Sequence, residues 1–167
     1  CSSDLPFGMR ILAHDPVMSD DAIRAGGAEP VSLETLMRES DYISLHAPSM
    51  PETKDLINAR TLGWCKPSAF LVNTARGDLV HEEDLAEALR VGTIAGAALD
   101  VFKVEPVAKY SPFRSLPNVL PLPHIAGITR QSAERMSGAC VDNILAVLRG
   151  ERPPSPVNAP ATPRGRE

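Results

Sequence analysis

The sequence predicts an α/β protein built on a doubly wound parallel sheet. Five short apolar runs, each followed by a turn signal, alternate along the chain with segments of helical pattern. These runs are too uniformly apolar for strands that are buried on one side only, so we expect helices on both faces of the sheet. The length of 167 residues suits a single domain with its own core.

The elements follow in order from these patterns. The predicted strands are residues 9–15 (MRILAHD), 42–48 (YISLHAP), 69–75 (AFLVNTA), 96–101 (GAALDV) and 118–124 (NVLPLPH). Helices are expected between them, in SDDAIRAGG after the N-cap Ser19, in SLETLMRES, in NARTLGWC after Asn58, and in HEEDLAEALRVG, which ends on Gly92.

The last predicted helix spans about residues 129 to 149 and stops at Gly150. Its apolar side chains recur at steps of three and four residues, which predicts a face packed on the core: Ala133, Met136, Cys140, Ile144, Val147 and Leu148. From Glu151 onward the chain is rich in proline and polar residues, so residues 151–167 are expected to form a largely disordered tail.

Composition and charge argue against several classes of protein. No apolar run is long enough for a membrane helix and no signal segment opens the chain, so we expect a cytoplasmic protein. The three cysteines show no CxxC spacing, which indicates neither a disulfide framework nor a metal site, and Cys65 and Cys140 are interpreted as small core residues. A net charge of −4 without a cluster of Lys and Arg argues against a nucleic-acid partner.

Polar residues follow the end of every predicted strand. Ligands of open parallel sheets bind beyond the carboxyl ends of the strands. Taken singly, each residue has an ordinary structural interpretation: Asp15 as a helix cap, His46 as a hydrogen-bonded structural histidine, Arg76 as a solvated turn residue. Together they predict a ligand site at one rim of the sheet, formed by His14-Asp15-Pro16, His46-Ala47-Pro48, residues 73–77 (NTARG), Asp100 and His124.

Several segments in order resemble one enzyme family. HDP, HAPSMPETKDLIN, FLVNTARGDLVHEEDLAEAL, GAALDVFKVEP and LPHIAGIT are closely similar to the D-isomer-specific 2-hydroxyacid dehydrogenases, over about residues 7 to 158. The combination of ARG, DVF..EP and PHIAG is highly specific. The resemblance implies an NAD-dependent oxidoreductase that acts on the CH–OH group of D-2-hydroxy acids and reduces 2-keto acids, and that is a homodimer in its full-length form.

The resemblance also implies catalytic roles for three residues. Arg76 takes the place of the arginine that holds the substrate carboxylate, and a planar guanidinium can donate two hydrogen bonds to it. His124 corresponds to the general acid/base, and Glu105 is its carboxylate partner. Gly77 is expected to leave room for the ligand, although a simple turn glycine fits the same pattern.

Cofactor contacts are implied for a second set of residues. Asp15 matches the acid that accepts hydrogen bonds from the adenosine ribose, and since no basic residue directly follows it, NAD is favoured over NADP. The other expected contacts are Ala47, Pro48 and Thr53 along the adenine and ribose path, Thr74 and Ala75 near the nicotinamide, Asp100 at its carboxamide, and Arg76, His124 and Gly127 beside it.

One part of the family pattern is absent from this sequence. There is no GxGxxG loop before FGMRILAHDP, so we expect a Rossmann-like sheet that lacks its first strand and phosphate-binding loop. Residues 1–6 are interpreted as foreign to the family, residues 7–150 as a partial NAD-binding domain, and the tail as the start of a return to an absent substrate-binding domain. The two halves of the sheet should then expose unpaired edges. Two alternatives to an enzyme remain, a non-catalytic NAD-sensing protein similar to corepressors and an inactive remnant.

Overall fold

The computed structural model describes residues 8–157 and has an α/β architecture with parallel strands, which confirms the predicted fold class. The chain divides into two compact units, Cys1–His124 and Ile125–Glu167. The predicted foreign segment, residues 1–6, lies outside the described residues, as does the tail beyond residue 157.

The strands of the first unit form two separate parallel sheets. One is a pair, β1 (Leu12–Ala13) with β2 (Glu29–Pro30). The other has four strands in chain order, β3 (Tyr42–Leu45), β4 (Phe70–Asn73), β5 (Gly96–Leu99) and β6 (Val119–Pro121). Within residues 8–157 no ladder joins the two sheets. This agrees with the expectation that two halves of the sheet expose unpaired edges.

The strand β2 was not predicted from the sequence. It contains a proline and a glutamate instead of an apolar run, and it pairs over only two residues. The amides of Glu29 and Val31 donate to the carbonyls of Ile11 and Ala13 at 2.8 and 2.9 Å. Proline is tolerated here because β2 lies at the edge of its sheet and needs no further donor.

The predicted helix starts and stops are confirmed. The N-cap side chains of Ser19 and Asn58 accept amide hydrogens of the following turn, and Gly92 ends a helix in the left-handed region at φ 76°. The helices are α1 (Asp20–Ala25), α2 (Leu33–Glu39), α3 (Ala59–Leu62) and α4 (Glu82–Val91). Two 3-10 turns, Gly77–Leu79 and Pro112–Arg114, were not predicted.

The core lies on one face of the four-stranded sheet. Alternate strand residues pack there against helical residues, and the fully or nearly buried members include Ile43, Leu71, Leu99, Met37, Leu62, Leu85 and Leu89. On the other face Tyr42 and Phe70 stack on each other with rings 5.7 Å apart, yet they are 68% and 42% exposed, and Leu120 is also exposed. This face is thus partly exposed at one edge, whereas Val72 and Ala98 on the same face are half-buried.

The second unit is dominated by one helix, α5 (Arg130–Leu148), which Thr129 caps. Its apolar side chains Met136, Ile144 and Leu148 are exposed, so the predicted core-facing role is wrong for them. Cys140 is exposed as well, whereas Cys65 packs against the core of the first unit and burial raises the pKa of its thiol to about 11.

After α5 the chain has no helix or strand over residues 151–157. The Ser155 amide donates to Asn143 Oδ1 at 2.9 Å. Among the described helices none combines the length and apolarity that crossing a bilayer requires. The same residues contain no group of three or more His, Cys, Asp or Glu side chains suited to a metal ion.

Candidate active site

Strand register brings the carboxyl ends of β3, β4 and β5 to one rim. Leu45 pairs with Asn73, and Asn73 pairs with Leu99. The residues that follow these positions therefore emerge side by side, and the Asp100 amide donates to the Asn73 carbonyl at 2.9 Å. Because Pro121 of β6 pairs with Leu99, the chain reaches the same rim just before His124.

An open cleft of about 260 Å³ lies at this rim. It brings together the three predicted catalytic residues, Arg76, Glu105 and His124. The remaining lining residues are Gly77, Asp78, Val101, Phe102 and Lys103. The cleft is therefore lined by cations and anions together with apolar side chains, an environment that suits a small charged ligand.

His124 and Glu105 form the central contact of the cleft. His124 Nδ1 lies 2.8 Å from Glu105 Oε2, and Glu105 Oε1 accepts the Phe102 amide at 3.0 Å. The hydrogen bond from His124, and then that from Phe102, holds the pKa of Glu105 below its usual value. Since an ionised carboxylate can only accept, Nδ1 carries the proton in this contact and Nε2 is the ring atom available to a ligand.

The backbone of His124 is itself unusual. Its φ of 58° lies in the left-handed region, which non-glycine residues adopt uncommonly. Such conformations cost roughly 1–3 kcal/mol and are concentrated at functional sites. The strained backbone and the bond to Glu105 together fix the direction of the imidazole.

The turn that carries Arg76 is held by a buried amide. Asn73 is 1% exposed, and its Nδ2 donates to the Arg76 carbonyl at 2.9 Å while its Oδ1 accepts the Ala75 amide at 3.0 Å. The Arg76 side chain is exposed and donates from Nη1 to the Ala75 carbonyl. Within residues 8–157 Arg76 forms no ion pair, so its guanidinium keeps donors for a ligand anion. The polar Asn73 at the end of FLVN was the sequence signal for this support.

Gly77 lies at a close approach of two backbone segments, a role that the sequence does not predict. A Cβ at this position would lie 2.1 Å from the Phe102 carbonyl carbon and 2.5 Å from the Lys103 amide nitrogen. Two backbone segments therefore touch here, and only glycine permits that approach. The direction that a Cβ would take is filled by this backbone, while Gly77 also lines the cleft.

The predicted adenosine contacts lie on two turns. Asp15 is exposed, and its Oδ1 accepts the amides of Val17 and Met18 at 2.8 and 3.1 Å, which lowers its pKa. The Thr53 hydroxyl donates to the Pro48 carbonyl at 2.6 Å and closes the turn that follows Ala47. Asp15 follows β1 in the two-stranded sheet, whereas Ala47, Pro48 and Thr53 follow β3 in the larger one.

The remaining predicted cofactor contacts lie after β4, after β5 and in the second unit. Thr74 is exposed and Ala75 is half-buried, next to Arg76 on the same turn. Asp100 is 3% exposed at the end of β5. Gly127 belongs to the second unit, where its carbonyl accepts the Ser132 hydroxyl at 2.8 Å.

Comparison with known proteins gives consistent matches. The family model for the D-isomer specific 2-hydroxyacid dehydrogenase, NAD binding domain, matches residues 4–126. Glyoxylate reductase of Korarchaeum cryptofilum is 43% identical over 152 residues, which are 91% of this chain and 46% of that protein. D-3-phosphoglycerate dehydrogenase of Synechocystis is 40% identical over 92% of this chain and 28% of its own length. The chain thus spans about half the length of the curated relatives it matches, or less.

Solved structures agree with the sequence matches. The TT0316 protein of Thermus thermophilus superposes with a TM-score of 0.86 at 44% identity, covering 93% of this chain and 48% of that one. D-lactate dehydrogenase of Lactobacillus jensenii, solved with NAD+, superposes with a TM-score of 0.82 at 29% identity over 95% and 51% of the two chains.

Proposed function

The chain belongs to the D-isomer-specific 2-hydroxyacid dehydrogenase family and matches its NAD-binding domain, and on this premise we propose that it forms the cofactor-binding half of an oxidoreductase that interconverts 2-keto acids and D-2-hydroxy acids. The observation that carries the proposal is the 2.8 Å contact of His124 Nδ1 with Glu105 in the cleft that Arg76 also lines. Residues 7–150 are proposed as this partial domain, and the complete protein as a homodimer.

His124 is proposed as the general acid and base. With Nδ1 bound to Glu105, Nε2 faces the ligand and can give a proton to the carbonyl oxygen during reduction or take it from the hydroxyl during oxidation. The carboxylate of Glu105 stabilises the imidazolium that holds this proton.

Arg76 is proposed as the group that orients the substrate. Its exposed guanidinium, on a turn fixed by Asn73, can donate two parallel hydrogen bonds to a carboxylate. A 2-keto acid bound in this way presents its carbonyl in a fixed direction, which favours transfer of hydride and proton to one face.

NAD is the proposed cofactor, and it supplies the hydride when bound. The fit rests on Asp15, which is exposed and whose amide bonds favour the ionised form, so it would repel a 2′-phosphate while accepting ribose hydroxyls. We propose that Ala47, Pro48 and Thr53 border the adenosine, and that Thr74, Ala75, Asp100 and Gly127 border the nicotinamide with Arg76 and His124.

A chimera tests this function. The matched residues of this chain replace the corresponding segment of the Korarchaeum cryptofilum glyoxylate reductase, and NADH oxidation is followed with glyoxylate, hydroxypyruvate and phosphohydroxypyruvate. Turnover with at least one of them is expected. A folded chimera that binds NADH without turnover would instead favour a non-catalytic NAD sensor.

A further inference from the structure

An ion pair beside the candidate site has no role in the proposed chemistry. Lys103 lines the cleft, and its Nζ lies 2.6 Å from Asp55 Oδ1. Both side chains are about two-thirds buried or more, being 27% and 32% exposed. The bond from Lys103 lowers the pKa of Asp55, so the pair is charged at neutral pH.

Both backbone polar groups of Asp55 form hydrogen bonds. Its amide donates to the Asp78 carbonyl at 2.8 Å, and its carbonyl accepts Asn58 Nδ2 at 2.8 Å. Its φ of 51° is left-handed, a conformation that Asp and Asn tolerate better than most residues. The backbone that carries the carboxylate bound by Lys103 is therefore held by two hydrogen bonds.

Lys103 in turn lies on the segment that carries Glu105. Its amide donates to Glu82 Oε1 at 2.8 Å, in the first turn of α4. The preceding residue, Phe102, is buried, and its amide donates to Glu105 Oε1. Residues 101–105 are thus held at the main chain by α4, at the Lys103 side chain by Asp55, and at Phe102 by the core.

We propose that Lys103 and Asp55 are positioning residues for Glu105. Their ion pair ties residues 101–105 to the turn at Asp55, so that the Glu105 carboxylate stays between the Phe102 amide and His124 Nδ1. The importance of this ion pair for catalysis rests on the proposed function, but its effect on the position of Glu105 does not. The ion pair of Lys103 is with Asp55 and that of His124 is with Glu105, so the proposed effect on Glu105 passes through the loop.

The test is the titration of the Glu105 carboxyl carbon, followed by NMR in the 167-residue chain without cofactor. His124 and Asp100 are the charged neighbours that act on this carboxylate, and Arg76, Asp78 and Lys103 line the same cleft. Asp55→Asn keeps a residue suited to the left-handed turn, and Lys103→Met keeps the length of the side chain.

The two substitutions separate positioning from simple electrostatics. If the loop loosens, Glu105 loses its hydrogen bonds, and its midpoint should rise by roughly half a pH unit in both variants. Charge alone acts differently, because removing the Asp55 anion lowers the Glu105 midpoint while removing the Lys103 cation raises it. Asp55→Asn is therefore the decisive variant, and Lys103→Arg should retain the original midpoint.

Matched controls come from a second ion pair at the amino ends of the strands. Lys66 Nζ and Asp41 Oδ1 are 2.8 Å apart, so Asp41→Asn and Lys66→Met make the same charge changes away from the cleft. They should leave the Glu105 midpoint unchanged. Exchange of the Phe102 amide hydrogen should accelerate in Asp55→Asn and not in Asp41→Asn.

Two outcomes would overturn the proposal. A fall or no change of the Glu105 midpoint in Asp55→Asn would leave only the direct effect of charge. Loss of folding in Asp55→Asn would assign the pair to general stability. Either result would leave the proposed dehydrogenase function untouched, because that is tested by turnover in the chimera.

Discussion

A histidine that is held by a carboxylate at one ring nitrogen can serve a ligand only through the other. His124 meets this condition, because Glu105 engages Nδ1 and the left-handed backbone fixes the ring. Arg76 is supported in a similar way, since Asn73 donates to its backbone carbonyl while the guanidinium stays exposed. At the scale of single residues, the cleft thus presents one imidazole and one guanidinium, each held by a neighbouring side chain, in the positions that the proposed function needs for a proton donor and an anion receptor.

The proton role of His124 predicts a specific kinetic result in the chimera. His124→Ala should lower turnover by roughly 10² to 10⁴, because it removes the ring nitrogen proposed to exchange the proton, while NADH affinity stays nearly unchanged. Steady-state kinetics and a fluorescence titration with NADH measure the two quantities.

The control for this substitution is His81→Ala, which removes a histidine at the start of α4 outside the cleft lining. It should retain turnover within a few fold. Near-normal turnover in His124→Ala would contradict the role of His124 as the general acid and base.

Cofactor preference depends on the charge of Asp15. We expect the chimera to use NADH in preference to NADPH, because at its proposed position the carboxylate would face a 2′-phosphate of nearly two negative charges. Asp15→Ala should shrink that preference, as measured by kcat/KM with each cofactor. Asp21→Ala removes a fully exposed carboxylate from α1 and should not change the ratio. Equal efficiency of both cofactors before any substitution would contradict the ribose role.

At the scale of elements, the sequence predicts the helix ends, which depend on neighbouring residues, but not the contacts between residues that are far apart in the chain. Ser19, Asn58 and Gly92 mark helix ends by interactions within one turn, so the sequence pattern predicts them. The pairing of β2 and the bond between Lys103 and Asp55 depend on residues far apart in the chain, 48 positions in the second case. Arg76, Glu105 and His124 are predicted through the family resemblance, and Asn73 is marked in the sequence as the polar end of an apolar strand. The ion pair of Lys103 with Asp55 becomes visible only in the fold.

Contact between two backbone segments makes Gly77 critical for stability. Gly77→Ala should lower the free energy of unfolding by about 3 kcal/mol, since its Cβ would overlap the backbone at Phe102 and Lys103 and neither segment is free to shift. Chemical denaturation measures the change. Gly138→Ala is the matched control, because nothing lies within 4 Å of its Cβ and alanine in α5 should add up to about 1 kcal/mol. An unchanged denaturation midpoint in Gly77→Ala would show that the backbone at Phe102 and Lys103 shifts to accommodate the Cβ.

At the scale of the whole molecule, the predicted cofactor contacts are divided between two sheets. Asp15 follows β1 in the two-stranded sheet, whereas Thr53, Arg76 and Asp100 follow strands of the larger one. No ladder within the described residues couples these sheets. Tyr42 and Phe70 leave part of one face of the larger sheet exposed among the described residues, which a pattern of apolar strands alone does not reveal.

This division predicts weak cofactor binding by the 167-residue chain itself. Nowhere in the sequence is there a GxGxxG loop, whose backbone amides normally neutralise a pyrophosphate, and the ionised Asp15 adds a negative charge near the diphosphate path. The contacts that remain are side chains on two sheets that no strand pairing holds in register. Calorimetric titration with NADH should therefore give a Kd well above the micromolar range, and no turnover should be measurable because a misplacement of about 1 Å can cost on the order of 10²-fold in rate. Stoichiometric binding in the micromolar range would show instead that the rim at Arg76 and His124 suffices to hold the cofactor without a phosphate loop.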